Sequence, residues 1–137
     1  MPEAGNRLSP ALRQYLDTSP AFATVATLLP SGLPHLTRVW VTRDRDDLLF
    51  TTAPDRLQGR NAARDPRVTL LIGAPDDPYA YAEVRGTATL EPDPDRTLAD
   101  RLARAHTGKP FAAFNPASAQ SEFVAVRVTP TRVAGRF

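Results

Sequence analysis

A mainly β fold, a six-stranded antiparallel Greek-key barrel with small helices, is what this chain of 137 residues predicts. Three observations carry it. Apolar segments alternate with period two and are joined by short Pro-, Gly- or Asp-rich turns, which reads as consecutive hairpins. The segments with helical spacing are brief and lie between the strands. A long fifth strand contains Gly86, the kind of position where a barrel strand bends or bulges.

Taken in order, Ser9-Pro10 reads as a helix N-cap followed by the first helical position. The helix over Ala11 to Leu16 would carry Leu8, Leu12 and Leu16 on one side. Residues 21–29 alternate as a strand, with Phe22, Thr24, Ala26 and Leu28 opposite Val25 and Leu29. Pro30-Ser31-Gly32 turns the chain into a second strand, Leu33 to Thr42. The charged run Arg43 to Asp47 is a second turn, and Leu48 to Thr52 returns as a third strand. Pro54 suits the first turn of a helix that should end near Asp65, because Pro66 disfavours helix at the residue before it. Arg67 to Gly73 is the fourth strand, 74–78 a loop, and Tyr79 to Leu90 the fifth strand. Asp93-Pro94 opens a helix through His106, with Leu98, Leu102 and Ala105 on one face and Gly108 as its C-terminal cap. Thr107 to Gln120 is an irregular loop. Glu122 to Val128 is the sixth strand, extended past Pro130 by Thr131 to Phe137. The strand, helix, strand order across residues 48–73 is also compatible with a right-handed parallel crossover.

The length suits one domain spanning residues 1–137, and 42% hydrophobic residues suffice for a core. No apolar run is long enough to cross a bilayer, and the N-terminus lacks a basic-then-apolar segment, so the expectation is a cytoplasmic protein without membrane partners. Absence of cysteine excludes disulfides and thiolate chemistry. The pI near 9.5 does not argue for nucleic acid. Net charge is only +2, and sixteen arginines and one lysine alternate with acids, as in Arg43-Asp44-Arg45-Asp46-Asp47. Such interleaving is a solvated surface rather than a phosphate-tracking stripe.

The most informative stretch runs from Leu48 to Ile72. An apolar strand enters a short helix that carries Arg56, Gly59 and Arg60 in its first turns, and a second apolar strand follows. A helix start presents unpaired N–H groups and a positive dipole end, and two arginines one turn apart add fixed charge. That combination can hold a phosphate. Gly59 inside a helix costs about 1 kcal/mol against Ala, so either a ligand or another backbone comes close there. Trp40 reads as a core or interface anchor, Tyr79 and Tyr81 as packing residues, and His35 as surface. His106 ends a helix, where its cationic form favours the dipole. No metal-ligand cluster, Ser-His-Asp order, paired catalytic carboxylates or P-loop is present in the sequence.

In order and spacing, the segments Ala26-Thr27-Leu28, Gly32-Leu33-Pro34-His35 and Asn61-Ala62-Ala63-Arg64-Asp65-Pro66-Arg67-Val68 resemble the pyridoxamine 5′-phosphate oxidase-like split-barrel family. Arg56-x-x-x-Arg60-Asn61 and the helix ending in Thr107-Gly108-Lys109-Pro110 resemble its branch that uses the deazaflavin coenzyme F-420. The resemblance implies a six-stranded split barrel with the 54–65 helix at one end. It also implies a homodimer with two cofactor sites at the interface, binding F-420 or, alternatively, FMN, and transferring hydride to a small conjugated acceptor. A non-catalytic cofactor- or haem-binding module is the rival within the same fold.

In such a site the ring would lie along Val39, Trp40 and Val41, Thr51 and Thr52 would line the ribityl chain, and Arg56, Gln58, Gly59, Arg60 and Asn61 would approach the phosphate. Residues near Tyr79-Ala80-Tyr81 of the partner would close it. Gln58 stands where the family usually has Lys, which removes one charged contact. Gln58→Lys is therefore expected to tighten binding, and Arg60→Ala to weaken it, with Arg43→Ala as a silent control. Since the cofactor carries the chemistry, no side chain is assigned as catalytic.

Overall fold

The computed structural model describes residues 5–114 and 122–137. Its elements are α1 (Pro10–Thr18), β1 (Ala21–Leu28), β2 (Pro34–Asp44), β3 (Asp47–Thr52), α2 (Leu57–Arg64), β4 (Arg67–Ala74), β5 (Asp77–Pro92), α3 (Thr97–Thr107), α4 (Phe111–Phe114) and β6 (Val124–Gly135). The six strands close an antiparallel barrel in the order β1-β2-β3-β6-β5-β4. β3 and β4 are not neighbours, so the connection through α2 is no parallel crossover. Instead α2 packs against β1 and β5.

The inner faces follow period two. Ala21, Ala23, Val25 and Thr27 of β1 are buried while the residues between them are not. Phe50, Leu70, Ile72, Val84, Val126 and Val128 are fully buried in the same cluster, which Leu8, Leu12 and Leu16 of the α1 region join. Ser9 caps α1 as its spacing predicts, accepting from the Leu12 N–H at 3.1 Å. A smaller cluster forms outside the barrel, where Leu98 and Leu102 of α3 cover Leu49 of β3.

Both internal helices start three or four residues later than their prolines suggest, for one reason. The Arg56 N–H bonds the Ala53 carbonyl and the Arg96 N–H bonds the Asp93 carbonyl, so Pro54 and Pro94 occupy the second position of a turn rather than a first helical turn. Asp93 nevertheless serves α3, since its carboxylate accepts from the Thr97 and Leu98 N–H groups at 2.9 and 3.1 Å. α3 buries Leu98, Ala99, Leu102 and Ala103 and leaves Ala105 exposed, so its inward face is centred on the Leu98–Leu102 and Ala99–Ala103 rows. Gly108 caps it at φ 76°. α4 falls within the segment expected to be irregular, and residues 115–121 of that segment lie outside the described residues.

β5 runs longer than expected, β6 lies within the span expected for it, and the two pair from Ala82↔Gly135 to Pro92↔Val124 with a register shift at Arg85/Gly86 opposite Pro130. That shift is where a strand tolerates proline, and it makes β6 continuous from Val124 to Gly135. Tyr79 and Tyr81 are exposed rather than packed, at 75% and 41%.

The charged turn is organised, not merely solvated. Arg127 of β6 donates to Asp44, Asp47 and Glu91, each at 3.1 Å, which raises its pKa further above the ordinary arginine value. Arg43 makes a two-pronged pair with Asp17 at 2.6 and 2.8 Å and also donates to the Arg45 carbonyl. Arg43→Ala therefore removes a tertiary contact and is no silent control.

Candidate functional site

β2 and β3 part company early. They pair only from Thr42↔Leu49 to Asp44↔Asp47, whereas the other edge of β3 pairs with β6 from Leu48 to Thr52. Among the described residues no strand pairs the other edge of β2 from Thr37 to Val41, although β1 pairs its near edge throughout. This opening splits the barrel wall, and alternate backbone N–H and C=O groups of β2 face into it.

A cleft of about 550 Å³ lies at the split. β2 supplies Thr37, Arg38, Val39 and Trp40, and Phe22 of β1 sits cross-strand from Trp40. Thr51 of β3, with Arg56 and Gln58 at the start of α2, forms the polar end. Phe111 and Phe123 form an apolar wall, meeting edge to face with centroids 5.0 Å apart.

The sequence-predicted residues divide into two groups. Val39, Trp40, Thr51, Arg56 and Gln58 line the cleft. Val41, Thr52, Gly59, Arg60 and Asn61 do not. Val41 is in the barrel core, and Thr52 is buried with its hydroxyl unpartnered among the described residues. Asn61 is fully buried. It donates to Thr27 Oγ1 at 3.1 Å and accepts from Arg64, so it ties α2 to β1 rather than reaching a ligand. Arg60 turns back to the Asp55 carbonyl at 2.6 Å. Gly59 is explained by backbone, because a Cβ there would drive into the Ala53 carbonyl oxygen. Gln58, 8% exposed, spends an amide hydrogen on Thr37 Oγ1 at 2.5 Å and so latches α2 to the free edge of β2. No side chain caps α2, whose N-cap is Arg56.

Phe22, Thr37, Arg38, Phe111 and Phe123 were not singled out by the sequence. Phe22 and Arg38 had a usable signal: the hairpin register places Phe22 opposite Trp40, and Arg38 lies two residues before Trp40 on the same face. Phe111 comes from a segment without periodicity, and Phe123 from the start of the expected sixth strand, where the sequence does not show what it faces.

His106 has a different role from a dipole-stabilising cation. Its ring stacks on Trp40 at 4.9 Å and 13°, and meets Phe22 edge-on at 4.8 Å. Burial lowers its pKa below the ordinary 6.5, with a hydrogen bond to the Ala21 backbone pulling the other way. The unfolded chain therefore binds this proton more readily than the fold does. Stability contributed here is present above pH about 6.5 and lost as pH falls toward the folded pKa. Denaturation midpoints measured at about pH 7.5 and about pH 5.5 should differ, and His106→Gln should shrink the difference. Asp65 acts in a separate window, since Arg67 holds its carboxyl down to about 2 from 3.8. An undiminished difference in His106→Gln would remove the stack as its cause.

The fold has recognisable counterparts. The structure is similar to an F-420 reductase at 28% identity and a TM-score of 0.77, over 98% of each chain. It shares its fold with a conserved hypothetical protein from Mycobacterium tuberculosis at 24% identity and a TM-score of 0.74, over 97% of this chain and 87% of that one. A heme binding protein from Mycobacterium smegmatis is similar at 26% identity and a TM-score of 0.61, over 96% of this chain and 56% of that one. The family model described as pyridoxamine 5′-phosphate oxidase matches residues 8–137. With that match, and with the split antiparallel barrel that the family's resemblance implied, the chain belongs to the pyridoxamine 5′-phosphate oxidase family.

Proposed function

We propose that this protein is an oxidoreductase that holds coenzyme F-420 in the barrel split and serves hydride transfer to a small conjugated acceptor. The observation that carries the reading is the β2 edge from Thr37 to Val41, which no further strand covers among the described residues, lying in one cleft with Thr51 and Arg56. The donor set fits such a group. Alternating N–H and C=O groups match the polar edge of a flavin-type ring, Thr51 can meet a polyol chain, and the Arg56 guanidinium can meet a phosphate. Bound, the reduced cofactor supplies the hydride. The protein's own part is to seat the ring against β2, keep water from it with Phe111 and Phe123, and hold the phosphate end at α2.

FMN satisfies the same donors and is the alternative. F-420 is preferred because similarity to an F-420 reductase extends over 98% of both chains. Similarity to a heme binding protein supports the rival, a non-catalytic binding module. Parallel titrations of the purified protein with F-420, FMN and hemin separate the three. F-420 binding more tightly than FMN is the expected result. Hemin binding with neither flavin nor deazaflavin binding would establish the rival.

The reading includes a homodimer whose interface completes the cleft. Exposed Phe22, Leu36 and Leu71 support it, since they lie on the outer face of three adjacent strands, and Tyr81 continues that face. Light scattering at micromolar concentration should give twice the 14.9 kDa chain mass, and a monomer mass would remove the shared site. Among the described residues no helix is long and apolar enough to cross a membrane.

A further inference from the structure

The cleft contains a second arginine that the cofactor reading leaves without a task. Arg38 lies on the outer face of β2, and its guanidinium carbon is 4.8 Å from the centroid of the Phe22 ring. Several of the chain's cations are paired: Arg43 with Asp17, Arg67 with Asp65, Arg85 with Glu83, and Arg127 with three carboxylates. Among the described residues neither Arg38 nor Arg56 carries an ion pair, and no lining residue is acidic.

The consequence is a concave, aromatic-walled space with two uncompensated positive charges. Such a space attracts anions and repels cations before any specific contact forms. A guanidinium over an exposed ring is held weakly, so it is easily turned to a better partner. Its planar fork matches a carboxylate with two parallel hydrogen bonds. Phe22 and Trp40 sit side by side next to Arg38, so an anion reaching it brings a flat apolar body against their rings.

We propose that Arg38 is a carboxylate-binding subsite and that the acceptor taken by this cleft is a flat conjugated acid. The proposal rests on the cofactor reading in one respect, that Arg56 is given to the cofactor phosphate and Arg38 is left for the acceptor.

The test uses cinnamate and cinnamamide, which have nearly the same shape and differ in charge. Each is titrated at low salt into the protein alone and into protein saturated with oxidised F-420. Calorimetry and the emission of Trp40, the single tryptophan, are the readouts. Cinnamate is expected to bind at least about fivefold more tightly than cinnamamide, the scale of one charged hydrogen-bonded pair. Arg38→Gln should abolish that preference, Arg38→Lys should keep part of it, and Arg56→Gln should keep it. The proposal is overturned if acid and amide bind alike, if the preference survives Arg38→Gln, or if it disappears in Arg56→Gln.

F-420 affinity provides the second arm. Arg38→Gln should leave it within about twofold, whereas a loss of about tenfold would assign Arg38 to the cofactor and overturn the subsite. Failure of the cofactor reading is a distinct result. In that case F-420 does not bind the wild-type protein, yet an acid preference that depends on Arg38 is still measured on the protein alone.

Discussion

Gly59→Ala is expected to destabilise the protein by about 1–3 kcal/mol, the usual cost of forcing a methyl into a filled space. The sign opposes helix propensity. In the interior of an exposed helix the same change would stabilise by about 1 kcal/mol. Here the added Cβ would meet the Ala53 carbonyl oxygen, and the Ala53 carbonyl carbon and Pro54 Cα lie within 3.1 and 3.3 Å of it. All three are backbone atoms, so no rotamer change relieves the clash. Either α2 lifts from the barrel or the Ala53–Arg56 turn moves. The first loosens Asn61 from Thr27, and the second displaces Arg56 from the cleft. Thermal denaturation should show a Tm lower by several degrees. A Tm at or above the wild-type value would mean that the close approach of α2 to Ala53 is not a feature of the folded protein.

Arg56→Ala is expected to weaken F-420 or FMN binding by about 1–3 kcal/mol, or about five- to 150-fold, the cost of losing a charged partner for a phosphate. The loss should shrink as salt is added, because the contact is ionic and solvent-accessible. Arg60→Ala is the matched comparison. Arg60 is one helical turn away with the same charge, but its guanidinium is committed to the Asp55 carbonyl and lies off the cleft. Its loss should change affinity by no more than about twofold. Reading the sequence alone, the two arginines were equivalent. They differ because α2 begins at Leu57, which leaves Arg56 in the N-cap position with extended backbone and sends Arg60 around the helix. Equal losses in the two variants would show that long-range charge, not contact, holds the phosphate. A larger loss in Arg60→Ala would reverse the assignment.

What the sequence by itself determined was local. Alternation with period two marked β1, apolar runs between turn residues marked the other strands, and Gly86 and Ser9 marked a bulge and a cap, because these depend on residues a few positions apart. The family could be read for the same reason, since its signature is an order of short motifs along the chain. Hairpin register was legible too, and it brings Phe22 beside Trp40. Proline misled at Pro54 and Pro94, because a fixed φ near −65° suits both a first helical turn and the second position of a β-turn.

Only the tertiary structure decided which residues face the cleft. The split exists because the β2–β3 ladder stops at Thr42↔Leu49 while the other edge of β3 stays paired to Thr52 with β6, a strand more than seventy residues later, and nothing in β2 or β3 announces where that ladder ends. Asn61, Gly59 and Val41 turn inward because barrel closure places a neighbour against each. Phe111 and Phe123 reach the site because α4 and β6 deliver them there. His106 became a stacking partner of Trp40 because α3 packs on the outer face of β2 and β3, where burial favours the neutral ring over the cation its helix end alone would prefer. Local periodicity fixes which side of an element a residue is on; which sides meet is set by contacts between residues far apart in the chain.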